Sequence, residues 1–326
     1  MNFSGNRELF EREVNVAPDL AELTRMAADA KASNGTASDA LRMTIAARLA
    51  HAAFLAPDRV GEIYDALAEG WIGEPVGEAP IATLGEPAMT APKGLWDAFW
   101  SVAEDGVAGK LDALAVTSRT AHLGDVLDDS FRDRVVKTSF TYEGVSEIAS
   151  LPLPRRHTLE ELGACPENSV GRLFYNVIVD NSFDLEVLDR DAIGLSQLPS
   201  PLDYLNTRML QAHDLWHLVG GYETTSLHEI AISAFQMSQF GHNYSAQFLA
   251  VTAVIGAQGQ AMAYPILMDT ITSAWVHGRH TPPMITIDWE SVWTGTLEEV
   301  RAQFGIKAYE RPYPANLIEM AMAAAA

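Results

Sequence analysis

The sequence predicts an all-α protein, and three observations support this fold class. Apolar residues recur at helical spacing along most of the chain, Pro and Gly divide it into segments of helical length, and alternation with a period of two is scarce. Because short turns join several of these segments, neighbouring helices should run antiparallel. We therefore expect a multi-helix bundle.

Three amphipathic helices are predicted near the N-terminus, over 18–31, 39–55 and 59–69. The first ends at Ser33-Asn34-Gly35, the second at Pro57 and the third at Gly70, because Gly and Pro interrupt helices. Residues 71–92, rich in Pro and Gly, predict a connector. A further helix follows at Leu95, and a helical region continues to about residue 140.

The chain divides at a second linker, Leu151-Pro152-Leu153-Pro154. We expect an N-terminal helical module of unknown role over 1–150 and a second helical domain over 151–326. Thr158 with Glu161, and Thr296 with Glu299, have capping-box spacing and mark two helix starts in this second domain.

One helix of the second domain carries the main chemical motif. It opens at Ser200-Pro201 and closes at Gly220-Gly221. His213, Asp214 and His217 fall within about a quarter-turn arc of this helix, at about 100° per residue. A turn of about five residues then leads to a helix that opens at Ser226 and carries Glu229.

These four side chains predict a metal site on two adjacent antiparallel helices. Imidazole nitrogens and carboxylate oxygens suit zinc and other divalent first-row ions. The alternatives are a solvated helix face with a local His–Asp pair, and a capping box between Ser226 and Glu229. A zinc peptidase has the same His-x-x-x-His spacing, but Asp214 stands where its catalytic Glu would be, one methylene too short.

An uncharged stretch follows the motif: residues 230–268 contain no Asp, Glu, Lys or Arg. Polar side chains interrupt it too often for a membrane span, so buried core helices are one interpretation. The functional alternative is an apolar channel leading to the metal. Its candidate lining residues are Phe235, Phe240, Tyr244, Phe248, Val251, Ile255, Met262 and Tyr264.

Composition excludes several classes of partner. A net charge of −21 repels phosphate backbones, so no nucleic acid is expected, and it opposes docking on anionic lipids. Cys165 is the one cysteine, which fits a reducing compartment, and residues 1–8 show no targeting pattern. We expect a cytoplasmic protein that forms a homodimer, with any contact to the inner face of the membrane being peripheral.

Several segments together resemble the coenzyme Q biosynthesis protein 4 family over about residues 154–306. The signature is His-Asp-x-x-His-x11-Glu, from His213 to Glu229. The segments 169–175, 208–217, 289–290 and 297–301 are also similar to the family. The resemblance implies an all-helical fold and a divalent ion, zinc first and iron or another transition metal as the alternative.

For the reaction, the resemblance implies removal of the ring carboxyl group of a polyprenylated 4-hydroxybenzoate-type intermediate of ubiquinone synthesis, with hydroxylation at the same carbon. Other ubiquinone-synthesis enzymes are the implied partners. Because zinc has no redox chemistry, hydroxylation at the metal would require an ion such as iron. The alternative is a non-catalytic, lipid-binding scaffold in which the metal only joins two helices.

Four residues near the motif are candidates for binding the substrate. Arg208 precedes His213 by just over one turn and could position an acidic head group, although a helix salt bridge is the alternative. Phe235 and Tyr244 belong to the predicted apolar wall. His242, like His228, is a candidate supporting or proton-handling group, although a lone His is often structural.

Overall fold

The structure is a computed structural model that describes residues 3–77, 81–111, 113–259 and 261–325. Within these ranges the chain forms sixteen α-helices and no strand, so the predicted all-α class is confirmed. In the N-terminal half the helices are α1 Phe3–Glu13, α2 Leu20–Ala32, α3 Asp39–Leu55, α4 Val60–Ile72, α5 Leu95–Val107, α6 Ala113–Ala121, α7 Asp129–Ser139 and α8 Val145–Ile148. The second half contains α9 Leu159–Gly163, α10 Val170–Asp180, α11 Leu202–Gly220, α12 Ser226–Phe240, α13 Asn243–Gln258, α14 Tyr264–His280, α15 Leu297–Phe304 and α16 Leu317–Ala325.

Helices α2, α3 and α4 agree with the three predicted segments, except at the end of α4, whereas α1 was not predicted. Helix α4 passes Gly70 and ends at Ile72, capped by Gly73, whose φ of 86° is left-handed and favours glycine. Gly70 serves packing instead, because a Cβ there would lie 2.1 Å from the carbonyl oxygen of Thr24 on α2. Residues 78–80 of the predicted connector lie outside the described residues.

Both predicted capping sites start helices, and one is a complete box. The Thr296 hydroxyl accepts from the Glu299 backbone N–H, while the Glu299 carboxylate accepts from the Thr296 backbone N–H. At α9 the Thr158 hydroxyl accepts from the Glu161 backbone N–H, but the Glu161 carboxylate pairs with Arg155.

The uncharged stretch supplies the centre of the bundle. Helices α12 and α14 pack against each other, and α13 packs against α3 and α5 of the N-terminal half. One apolar core runs through both halves. The division at residue 150 remains a prediction, and the two parts it defines share this core.

Polar contacts also join the two halves. The Asp65 carboxylate on α4 accepts from Trp275 Nε1 on α14 at 2.8 Å, and Asp269 on α14 accepts from Trp71 Nε1 at 2.7 Å. Arg42 on α3 donates to the carbonyl oxygen of Ala257, near the end of α13. Within the described residues, no helix combines the length and apolar content needed to cross a membrane.

Candidate functional site

The motif side chains converge where α11 ends and α12 begins. His213 and His217 lie one turn apart on α11, and their Nε2 atoms are 3.3 Å from each other. Glu229, in the first turn of α12, reaches both rings: Oε2 is 3.3 Å from His213 Nε2, and Oε1 is 3.2 Å from His217 Nε2. Asp214 lies near the two histidines, since one ligand atom each of His213, Asp214 and His217 lies within 4.8 Å of the others.

The donor set fits a divalent metal ion. Four ligands at about 2.0–2.1 Å around zinc lie about 3.3–3.4 Å apart at the edges of a tetrahedron. The separations among His213, His217 and Glu229 are close to that edge length. Two imidazoles and two carboxylates are also a combination that zinc and iron accept.

The turn between the two helices holds His217 in a ligand orientation. Its Nδ1–H donates to the backbone carbonyl oxygen of Glu223 at 3.1 Å, which leaves the Nε2 lone pair facing Glu229. The backbone N–H of Glu223 donates to His228 Nδ1 at 2.7 Å. Burial lowers the pKa of His228, so this ring is a neutral support behind the site.

Charges inside the site are coupled. Burial lowers the pKa of His213, but the hydrogen bond to the Glu229 carboxylate and the negative charges of Glu229 and Asp214 together outweigh it, and the net shift is upward. Burial would raise the pKa of Glu229, whereas the contacts with His213 and His217 lower it more strongly. A carboxylate is thus held ionised beside two imidazoles, which suits a cation because metal ligands must be deprotonated.

A cavity of about 350 Å³ lies beside the start of α11 and the turn between α12 and α13. Its lining from the second domain consists of Leu195, Leu198, Leu202, Leu205, Asn206, Phe240, Gly241, His242, Asn243, Tyr244 and Gln247. Its lining from the first half of the chain consists of Ala121, Gly124, Leu127, Asp128, Phe131, Arg132, Val135 and Ser139. Both halves of the chain therefore line the cavity.

Two of the predicted substrate-binding residues, His242 and Tyr244, line this cavity. Burial raises the pKa of Tyr244 to about 12 and lowers the pKa of His242 to about 3, so both side chains are neutral at ordinary pH. Nearby, the Gln247 side chain is 2% exposed, and its Nε2 is a donor with no hydrogen-bond partner in the described structure. The cavity lining thus combines apolar side chains with polar and charged ones, Asp128 and Arg132 among them.

The other two predicted substrate residues lie elsewhere. Arg208 donates to Glu290 Oε1 and Gln211 Oε1, both at 3.0 Å. Phe235 is fully buried, with its ring against Trp216. Neither lines the cavity described here.

Two residues without a sequence signal of their own connect the motif to the cavity. Gln236 Nε2 is 2.7 Å from His213 Nδ1, and Gln236 Oε1 is 3.5 Å from Ser245 Oγ. Ser245 Oγ is in turn 2.9 Å from His242 Nδ1. The only hint in the sequence is the presence of polar residues inside the uncharged stretch, and nothing there indicates which of them meet.

Comparison with known proteins places this site in a family. The sequence model for "Coenzyme Q (ubiquinone) biosynthesis protein Coq4" matches residues 148–310, which is half of the chain and includes all four candidate ligands. The chain belongs to the Coq4 family. The resemblance predicted from the motif is confirmed, and the chain is a member of a family of ubiquinone biosynthesis proteins.

Coq4 relatives from insects cover about half of the chain. The COQ4 homologue of Drosophila ananassae is 27% identical over 190 residues, 57% of this chain and 69% of its own length. That of Drosophila pseudoobscura is 28% identical over 158 residues, 47% of this chain and 57% of its own length. COQ4 homologue 1 of Culex quinquefasciatus is 28% identical over 167 residues, 51% and 58% of the two chains.

A solved structure shares the fold. It is a crystal structure of a candidate ubiquinone biosynthesis protein from Nostoc punctiforme, 22% identical, with a TM-score of 0.50. The similarity covers 97% of that protein and 66% of this chain. At this identity the comparison supports the helical fold alone.

The comparisons contradict the expected cellular compartment. The three insect relatives are named as mitochondrial proteins, so the expectation of a cytoplasmic protein is wrong by this comparison. The error has a physical reason: low cysteine content and acidic composition fit more than one reducing compartment, so they do not select the cytoplasm.

Proposed function

We propose that this Coq4-family protein is a metal-dependent enzyme of ubiquinone synthesis. Its substrate is a polyprenylated 4-hydroxybenzoate-type ring, from which it removes the C1 carboxyl group with hydroxylation at the same carbon. The observation that carries the proposal is the approach of His213, His217 and Glu229 to within 3.2–3.3 Å of one another. Asp214 has a ligand atom within 4.8 Å of those of His213 and His217, and we propose it as the fourth ligand.

The metal would be held by His213, Asp214, His217 and Glu229. When bound, a zinc ion supplies Lewis acidity that orients a phenolate or carboxylate oxygen, and iron would add redox capacity. Replacing a ring carboxyl by a hydroxyl releases carbon dioxide and is a two-electron oxidation of the ring. Dioxygen is the oxidant we propose, with water as its reduced product after two further electrons and two protons are supplied by an external reductant.

The chain's own residues would bind and orient the ring. The cavity volume of about 350 Å³ lies at the lower end of the roughly 300–1,000 Å³ typical of small-molecule sites, so a long tail would have to extend beyond it. Phe131 and Phe240 offer apolar contact, while His242 and the amide of Gln247 offer polar contact to ring oxygens.

A direct test compares His213→Ala with His280→Ala, a change at an exposed histidine of α14. Protein is purified without added metal, its zinc and iron content is measured, and it is then incubated with a polyprenylated 4-hydroxybenzoate, iron(II), a reductant and dioxygen. We expect the wild type and His280→Ala to retain metal and release carbon dioxide. His213→Ala should lose both properties.

Metal retained at full occupancy in His213→Ala would refute the site, since one imidazole of the set is gone. Metal bound by the wild type without any carbon dioxide release would refute the catalytic role while leaving the site intact. That second result is what the alternative function predicts.

The alternative is a lipid-binding scaffold in which the metal is structural. The position of the ligands favours this alternative, because a metal bound there would tie the end of α11 to the first turn of α12. A scaffold would lose thermal stability when the metal is chelated and would show no turnover alone. Direct turnover by the purified chain would exclude this role.

Assembly with other ubiquinone-synthesis enzymes, peripheral membrane contact and a homodimer remain proposals. Each would use a local apolar surface. For membrane contact this is required, because the charge of −21 opposes binding to anionic lipids. The segment between residues 151 and 193 exposes several large apolar side chains, including Leu151, Val187 and Leu188. This segment is where we propose such contacts.

A further inference from the structure

His242 in the cavity wall is connected to His213 in the candidate metal site by two buried side chains. Gln236 is 3% exposed and Ser245 is 1% exposed, so water does not compete for their polar atoms. The three links measure 2.7, 3.5 and 2.9 Å from His213 to His242. The middle link, between Gln236 Oε1 and Ser245 Oγ, is at the outer limit of hydrogen bonding.

The contact between Gln236 Nε2 and His213 Nδ1 fixes the direction of donation along these three hydrogen bonds. In the present arrangement Gln236 Nε2–H donates to His213 Nδ1, Ser245 Oγ–H donates to Gln236 Oε1, and His242 Nδ1–H can donate to Ser245 Oγ. His213 then carries its proton on Nε2, toward Glu229. His242 presents an unprotonated Nε2, and no described protein group hydrogen-bonds to that atom.

A metal ion on His213 Nε2 is incompatible with that direction. A neutral imidazole that binds a metal through Nε2 carries its proton on Nδ1 and must donate from there. Rotating the Gln236 amide by 180° exchanges Oε1 and Nε2, so Oε1 can accept from His213. Gln236 Nε2–H then donates to Ser245 Oγ, and Ser245 Oγ–H donates to His242 Nδ1.

We propose that Gln236 and Ser245 form a relay by which metal binding at His213 changes His242 Nε2, in the cavity wall, from a hydrogen-bond acceptor to a donor. The inference rests on the proposed metal site. In the metal-bound state the cavity lining offers His242 Nε2–H together with the unpartnered Nε2–H of Gln247. Both groups donate, so they favour a ligand oxygen that accepts, such as a phenolate or carboxylate.

The relay residues lie on the helix that supplies Glu229 and on the helix that follows it. Gln236 lies on α12 seven residues after Glu229, two turns along the helix that supplies that ligand. Ser245 and His242 lie at the start of α13, directly after the turn at Gly241. The relay therefore follows one helix away from the metal site and ends at the cavity.

The experiment is histidine-selective ¹⁵N NMR of the full chain, recorded with and without zinc(II) as the probe. His242 is assigned through loss of its signals in His242→Gln. In the wild type we expect zinc to convert His242 from the Nδ1–H to the Nε2–H tautomer. Ser245→Ala should bind zinc within about threefold of the wild-type affinity, but its His242 should not respond.

The matched control is Ser238→Ala, a buried serine of α12, whose hydroxyl donates to the Phe235 carbonyl oxygen rather than to the relay. It should respond to zinc as the wild type does. A wild-type His242 that keeps its tautomer when zinc binds would overturn the relay and leave the metal site standing. Failure of zinc to bind the wild type would overturn both, and the wild-type spectra decide this even if a variant does not fold.

Discussion

Arg301 caps α11, the helix that carries His213 and His217, by donating from Nε to the backbone carbonyl oxygen of Val219 at 2.9 Å. Its Nη2 also donates to the carbonyl oxygen of Leu218 at 3.1 Å. These carbonyls lie in the last turn of α11, directly after His217, where a helix leaves carbonyl groups without partners. A side chain from α15 thus stabilises the end of α11 beside the site.

Arg301→Ala should weaken both the fold and the metal site. Loss of hydrogen bonds from a charged donor costs about 1.5–3 kcal/mol, and the freed end of α11 would hold His217 less firmly. We expect a lower midpoint in urea unfolding and weaker zinc binding by calorimetry. Arg25→Ala, at an exposed position of α2, is the control. Unchanged zinc affinity in Arg301→Ala would show that the cap does not support the ligands.

The cavity wall formed by residues 121–139 predicts a steric effect on ligand binding. A Cβ at Gly124 would meet nothing within 4 Å, and Gly124 lines the cavity. Gly124→Phe should therefore occupy cavity space with little loss of stability. We expect at least tenfold weaker binding of a geranylated 4-hydroxybenzoate by fluorescence titration, with the urea midpoint nearly unchanged.

Ser118→Phe provides the comparison for Gly124→Phe. This exposed residue of α6 is outside the cavity lining, so the same added ring should leave binding unchanged. Equal ligand binding by both variants and the wild type would mean that the ligand does not use the wall formed by residues 121–139.

Because α12 packs closely on α14, we expect a Gly-to-Ala change at this contact to destabilise the fold. A Cβ at Gly278 would lie 1.8 Å from Ser238 Oγ and 2.8 Å from the Phe235 carbonyl oxygen. Ala normally stabilises a helix interior by about 1 kcal/mol relative to Gly, but overpacking typically costs about 1–3 kcal/mol. Gly278→Ala should therefore reduce the free energy of unfolding, measured in urea.

Gly124→Ala is the control for this packing, because its Cβ enters open space. Its free energy of unfolding should stay within about 0.5 kcal/mol of the wild type. If Gly278→Ala were as stable as the wild type, the two helices could not approach as closely as the structure shows.

Buried neutral histidines predict sensitivity to acid. His51 is 1% exposed, its Nδ1–H donates to the Val14 carbonyl oxygen at 2.8 Å, and burial lowers its pKa below the ordinary 6.5. The unfolded chain takes up this proton near pH 6.5, whereas the folded chain takes it up only at lower pH. Stability therefore falls as the pH drops below 6.5, until the folded pKa is reached.

The contribution of His51 to this loss of stability in acid can be measured by chemical denaturation of the wild type and His51→Gln at pH 7.5 and 5.0. One group contributes at most about 1.4 kcal/mol per pH unit within its window. The variant should lose less stability between the two pH values than the wild type. An equal or larger loss in the variant would exclude His51 as a source of the acid sensitivity.

The sequence predicted the limits of a helix correctly where the residues that begin or end the helix act on the adjacent backbone. The prediction for Asp39–Leu55 is correct because Ser38 caps its start and Pro57 follows its end. The predicted end at Gly70 was wrong because that glycine allows α2 to approach α4, which is a contact between distant segments. A glycine in the sequence does not show which of these reasons applies.

By itself the sequence determined the all-helical class, the Coq4 family and the approach of two histidines, since residues four apart on a helix share a face. It also placed Glu229 near them, because only a short turn intervenes. Only the tertiary structure decided that Gln236 and Ser245 lead from His213 to His242, and that residues 121–139 form a cavity wall. Those relationships depend on how separate helices pack, and the periodicity of a single helix contains no information about them.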